Sequence, residues 1–184
     1  IENANIRYEK GETKIWPGTV GGHNWQPMSY SPRTGLVYIP QQQIGARFSR
    51  TGGSEDAFNV MGLTLEPIVE KPGDGHGYLV AWDPVAHKEA WRVKHKGLWN
   101  GGTLATAGDL VFQGTADGYL RAYDAKQGKE LWTFNAGLGI IGAPMSYTLQ
   151  GKQYVSILVG YGGTAAAYGK FMDMGWKYGA QPRR

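Results

Sequence analysis

Cysteine is absent from the 184 residues, which excludes a disulfide framework, a thiolate metal site and a cysteine nucleophile. No apolar run approaches the ~18 residues of a membrane-spanning helix, so no transmembrane segment is expected. The N-terminus carries no charged-then-apolar leader. The chain opens on Ile1 rather than Met, which leaves room for a leader or a longer preceding segment. Charged residues are 18% of the chain, below the usual ~25%, and the net charge is only +4. No basic run of five or six residues occurs, so nucleic acid is not an expected partner.

Glycine and aromatics are abundant: 29 Gly, 7 Trp, 11 Tyr and 5 Phe. With 41% hydrophobic residues the chain can bury a core, which excludes wholesale disorder. Many glycines among many aromatics suit short strands joined by tight turns.

Internal repetition sets the architecture. Gly77-Tyr78-Leu79-Val80-Ala81-Trp82-Asp83 recurs as Gly118-Tyr119-Leu120-Arg121-Ala122-Tyr123-Asp124, an offset of 41. The same offset carries Lys88-Glu89 onto Lys129-Glu130 and Trp91 onto Trp132, eight matches with one shift. A period near ~40 residues marks propeller blades or helical repeats. Strand chemistry decides between them. Each repeat reads as strand, short polar turn, strand: 78–82, 83–88, 89–93 in the first copy and 119–123, 124–129, 130–134 in the second. Further strands are expected over 110–113 and 154–159, and over 36–39, ending before Pro40.

Pro27-Met28-Ser29-Tyr30 recurs as Pro144-Met145-Ser146-Tyr147, 117 residues on, close to three periods of about 39. The fold class expected is all-β: a β-propeller of about three blades, the first and last incomplete. Propellers close with ~4–8 blades, so about three form an open fragment. Residues 1–163 are the partial propeller. Segment 46–76, with Gly52-Gly53, Glu55-Asp56 and Pro72-Gly73-Asp74-Gly75, reads as a long loop or insertion. Residues 164–184 form a tail, with a short helix expected at Ala165-Ala166-Ala167.

Two loops could carry chemistry. Gly21-Gly22-His23-Asn24-Trp25-Gln26-Pro27 and Gly97-Leu98-Trp99-Asn100-Gly101-Gly102-Thr103 both pair Trp with Asn among glycines. Glycine allows close backbone approach, the Asn amide donates and accepts, and Trp supplies a flat apolar platform, which suits a planar, oxygen-rich ligand. The plain alternative is a pair of blade-entry loops with a buried Trp. Gly137-Leu138-Gly139-Ile140-Ile141-Gly142 is the third equivalent loop, and in a propeller such loops converge near the axis. Gly160-Tyr161-Gly162-Gly163-Thr164-Ala165 fits a dinucleotide fingerprint, but position 180 is Ala180 where that fold needs an acid, and no second strand fits. His23, His76, His87 and His95 form no i, i+4 pair, so no metal ligands are expected in this chain. Asp83 and Asp124 recur at the repeat offset and are expected to cap turns. No Ser-His-Asp order stands out, and no Gly-x-Ser-x-Gly elbow is present.

The loop 21–29 with Gly35-Leu36-Val37-Tyr38-Ile39-Pro40, the run 98–112 with Gly114-Thr115-Ala116-Asp117-Gly118, and 139–147 with Gly151-Lys152-Gln153-Tyr154-Val155 resemble the quinoprotein alcohol dehydrogenases. The turn 122–132 is similar to that family's tryptophan docking motif. The likeness covers nearly the whole chain and is weakest over 46–76. The tail 175–184 is most similar to the quinohaemoprotein subclass.

The resemblance implies an eight-bladed propeller, with this chain a C-terminal portion of it. It implies pyrroloquinoline quinone on the axis and a bound calcium. The implied activity is periplasmic oxidation of primary alcohols to aldehydes, with electron transfer to haem c and ubiquinone, peripheral to the inner membrane. By motif position Asn24, Trp25 and Trp99 resemble quinone contacts, and Thr164 falls in a late contact loop. The family's catalytic Asp, calcium ligands and haem attachment belong to segments outside this chain. The partners implied are the remainder of the propeller, in the same polypeptide or another chain, a cytochrome c domain or subunit towards which the tail leads, and the alcohol. The alternative is a non-catalytic propeller used for interaction or assembly.

Overall fold

The structure is a computed structural model that describes residues 7, 11–50, 58–60 and 62–160. Among them are fourteen strands and no helix. The first blade is a four-stranded antiparallel sheet, in spatial order β2 (Ser29–Ser31), β3 (Leu36–Gln43), β7 (His76–Asp83), β8 (Lys88–Lys94). The second blade runs β9 (Thr103–Ala105), β10 (Leu110–Gly114), β11 (Tyr119–Asp124), β12 (Glu130–Asn135). A third begins with the hairpin β13 (Met145–Leu149) and β14 (Lys152–Ser156).

The 41-residue repeat has a structural counterpart at each level. β7–β8 carries a bulge between Ala81 and Trp82, and β11–β12 carries one between Ala122 and Tyr123. Asp83 Oδ1 accepts from the backbone N–H groups of Val85 and Ala86, and Asp124 Oδ1 from those of Lys126 and Gln127. These are the side-chain turns that Asp forms with its own backbone.

The two complete blades bury one face of each against the other. Leu36, Tyr38, Leu79 and Ala81 of the first pack on Val111 and Tyr123 of the second and on Ala125 beyond it. Full burial of each large apolar side chain there contributes on the order of 1.5–3 kcal/mol. A tryptophan fastens the seam. Trp91 Nε1 donates to the Ala125 carbonyl at 3.2 Å, and Tyr38 Oη donates to the same oxygen at 2.9 Å. Gly128, at φ +70°, lies under the Trp91 ring, where a Cβ would come within 2.5 Å of it. Trp132, at the equivalent place in the second blade, stacks on Phe134 and is 48% exposed. β12, β13 and most of β14 are exposed along their length, so this margin of the propeller is open.

Five expectations are corrected. The first blade is complete, with four strands. The 117-residue echo spans two blades rather than three periods, because Ser29 and Met145 begin the first strands of the first and third sheets. The excess comes from residues 44–75, inserted between β3 and β7. That stretch is more than loop: β4 (Gly45–Ser49), β5 (Phe58–Val60) and β6 (Leu63–Ile68) pair with β1 (Thr13–Ile15) as a side sheet in the order β1-β4-β6-β5. Their alternation is short and broken by polar residues, which hid them. β3 passes through Pro40, since the Pro40 carbonyl faces His23 Nδ1 at 2.9 Å, in the loop before β2. Its missing N–H falls on that same side, where no ladder bond is needed. The last strand ends at Ser156, short of 159. Glu55, Asp56, Gly52 and Gly53 lie outside the described residues, as do the expected helix and most of the dinucleotide-like stretch.

Asp74 ties the side sheet to the first blade. Its carboxylate, buried, accepts from the Trp16 indole at 3.0 Å and from the Glu70 and Lys71 backbone N–H groups. Gln43 Nε2 approaches its other oxygen at 3.4 Å.

Candidate functional site

The three glycine-rich loops meet at one end of the blades. Thr103 N donates to the Pro27 carbonyl at 2.9 Å. Gly102 sits so tightly between the other two loops that a Cβ would come within 2.6 Å of Pro27 and 2.9 Å of the Ala143 Cβ. A single apolar cluster draws on all three, with Val20 from the first, Leu98 and Trp99 from the second and Ile141 from the third, joined by Ile44 and Ala116. The Asn100 amide holds the second loop from inside: Nδ2 donates to the Gly97 carbonyl at 2.8 Å, and Oδ1 accepts from Ala116 N at 3.0 Å.

The expected contact residues stand in different situations. Asn24 is exposed, and its amide closes its own loop: Nδ2 donates to the Val20 carbonyl at 2.8 Å and Oδ1 accepts from Trp25 N at 2.9 Å. Trp25 is 49% exposed, so much of its indole faces outward. Trp99 is 2% exposed and packed in the shared cluster. Asn24 and Trp99 thus meet through Val20. Thr164 lies outside the described residues.

Two residues that the motif reading did not single out stand in and beside these loops. Gln42 is 3% exposed, and neither end of its carboxamide has a partner. Its backbone N–H donates to the Gly22 carbonyl at 2.9 Å, and across the sheet it pairs with Gly77, whose N–H donates to the Gly97 carbonyl at 2.9 Å. Gln42 therefore lies between the first and second loops. Gln26, next to Trp25, is equally buried, with Oε1 unpartnered. An unpaired buried amide end costs on the order of 1–3 kcal/mol. Unpartnered amide ends within and between these loops can pair with the polar edge of a ligand. The signal was legible: Leu36, Tyr38, Pro40 and Gln42 share the inward face of β3, and the last is polar.

His95 and Gln113 were also missed. His95 Nε2 lies 2.9 Å from Gln113 Oε1, and Gln113 Nε2 donates to the Gly101 carbonyl at 2.9 Å. Burial pulls the His95 pKa down to about 4, so the ring is neutral near pH 7. Among the described residues, no group of three or more His, Asp or Glu is gathered as a metal ligand set.

Comparison with known proteins agrees with this geometry. Residues 75–155 match the family described as PQQ, the glucose/ethanol/alcohol dehydrogenase β-propeller domain. The chain is 45% identical over 172 residues to quinohemoprotein alcohol dehydrogenase ADH IIB of Pseudomonas putida, covering 92% of this chain and 25% of the relative. It is 47% identical over 165 residues to the dehydrogenase subunit of the alcohol dehydrogenase (quinone) of Acetobacter aceti, covering 82% and 22%. The crystal structure of quinohemoprotein alcohol dehydrogenase from Comamonas testosteroni superposes with a TM-score of 0.75 at 42% identity, over 86% of this chain and 25% of that one. The chain thus spans about a quarter of the length of these relatives. With their repeated blades and tryptophan-fastened seam, residues 75–155 belong to the PQQ glucose/ethanol/alcohol dehydrogenase β-propeller domain family.

Proposed function

We propose that this chain is part of a periplasmic quinoprotein alcohol dehydrogenase that oxidises primary alcohols to aldehydes with pyrroloquinoline quinone, and that it supplies walls and anchors of the quinone site. The observation that carries the reading is the meeting of the three loops, with Trp25 half-exposed, the Gln26 oxygen unpartnered within the first loop and the Gln42 carboxamide unpartnered between the first and second. When bound, the quinone supplies the redox chemistry, taking a hydride or its equivalent from the alcohol.

The chain's own residues do the rest of their share without making or breaking bonds. Trp25 offers an aromatic face to a planar ring. Asn24 fixes the Trp25 backbone through the bond from Trp25 N to its own Oδ1. Gln42 can donate and accept, and the Gln26 oxygen can accept. Trp99 and Leu98 fill the wall and exclude water. The base, the calcium and haem c belong to the remainder of the propeller and to a cytochrome c domain or subunit, with ubiquinone as the later electron acceptor. Thr164 is a further proposed contact.

The test is the absorption spectrum and intact mass of the natural polypeptide. Quinone and haem bands in an active protein several times longer than this chain are expected. An active enzyme purified free of quinone overturns the reading. The 184-residue chain given pyrroloquinoline quinone, a primary alcohol and a dye acceptor is expected to show no turnover. Sustained turnover would contradict the division of labour.

A further inference from the structure

His95 follows the last strand of the first blade and is 7% exposed. Its backbone is held on both sides: the N–H donates to the Gly77 carbonyl at 2.8 Å, and the carbonyl lies 3.0 Å from His76 Nδ1. The ring rests against Tyr123 of the second blade. Gln113 on β10 is fully buried. Its NH2 group faces the Gly101 carbonyl, which can only accept, so its oxygen is the end turned to His95, and His95 Nε2 carries the proton. Gly101 also donates its N–H to the Gly114 carbonyl at 2.9 Å. Gly101, which follows Trp99 and Asn100, is thereby gripped at both its backbone polar groups.

We propose that His95 and Gln113 are positioning residues for the 97–103 loop, acting across the blade seam to set the place of Trp99 and Asn100 at the ligand site. The inference rests on the reading of that loop as a wall of the quinone site. The first blade supplies the imidazole, the second supplies the amide, and the loop between them receives the bond, so its conformation depends on the two blades being in register. Burial keeps the donor neutral; among the charged groups whose fields reach it, Arg121 opposes protonation, while Asp117 and Glu130 favour it.

The test uses the full dehydrogenase polypeptide carrying this segment, with His95→Phe, Gln113→Met, the milder His95→Gln, and Gln113→Glu. Two quantities are read: hydrogen exchange in the peptide 97–103 against that in β7–β8, and affinity for pyrroloquinoline quinone by tryptophan quenching. His95→Phe and Gln113→Met are expected to speed exchange in 97–103 by about tenfold while β7–β8 stays as in the parent, and to weaken quinone binding by about tenfold, the scale of one lost hydrogen bond. His95→Gln keeps an N–H donor and is expected to restore both. Gln113→Glu keeps the bond from His95 but not that to Gly101, so it should behave as Gln113→Met. Parent-like exchange in 97–103, or acceleration spread evenly over both blades, overturns the positioning role. Faster exchange confined to 97–103 with unchanged quinone affinity upholds the positioning role and overturns the quinone reading of the loop.

Discussion

Trp91 and Ala125 join two blades through one hydrogen bond, from the indole N–H of the first to a turn carbonyl of the second. The same oxygen accepts from Tyr38, so two aromatic side chains of one blade converge on a single atom of the next. The seam is therefore specific in register as well as apolar. At the equivalent place in the second blade, Trp132 stacks on Phe134 and is half-exposed.

Gly128→Ala is expected to destabilise the chain by about 1–3 kcal/mol. The added methyl meets the Trp91 ring, and the backbone holds a positive φ that L residues rarely adopt. Gly151→Ala is the control. It shares the positive φ but has open space around its Cβ, and about 1 kcal/mol is expected. Urea denaturation of both variants measures the difference, and equal losses would show that the indole contact contributes nothing.

Asn24→Ala removes both bonds that close the 20–25 loop. Weaker quinone retention in the complete enzyme is expected, by about 1–3 kcal/mol, because Trp25 loses the acceptor that fixes its backbone. Asn24→Asp retains that acceptor and should lose less. Quinone affinity by equilibrium dialysis distinguishes the two variants.

His95 gives the stability a pH slope of predictable sign. Its folded pKa is about 4, while the unfolded value is near 6.5. Above pH ~6.5 both states are neutral and nothing is lost. Between there and pH ~4 the unfolded chain takes up a proton that the folded one refuses, so stability falls as pH falls. Chemical denaturation from pH 7.5 to 4.5 should show this slope in the parent and a flatter one in His95→Gln.

Asp74 acts in a lower window. Burial raises its pKa, but the bonds from Lys71 N, the Trp16 indole, Glu70 N and Gln43 outweigh that and hold it below the ordinary carboxylate value. Its stabilisation is present above pH ~4 and is lost as pH falls through the folded pKa. Asp74→Asn should remove that acid-side loss and also lower stability at pH 7, since an amide NH2 must face N–H donors. Thermal midpoints between pH 3 and 7 measure both effects.

Much of the blade plan was legible in the chain. Gly77–Asp83 and Gly118–Asp124 repeat the strand, the bulge and the Asp-capped turn because these are local preferences of the backbone. The hub was legible only as residue types. Asn24, Trp25 and Trp99 could be named, but not that Trp99 is enclosed while Trp25 faces out. The side sheet was missed because β1 and β4 pair across thirty intervening residues, and such pairing leaves no local period.

Strand alternation, turn chemistry and the 41-residue period were thus determined by the sequence itself, since each is settled within a few neighbouring residues. Tertiary structure alone decided that His95 meets Gln113, that Gln42 is buried between two loops, and that Val20 joins Asn24 to Trp99. Those relationships arise from how separate strands pack, and burial converts ordinary polar side chains into partners that no short stretch of chain specifies.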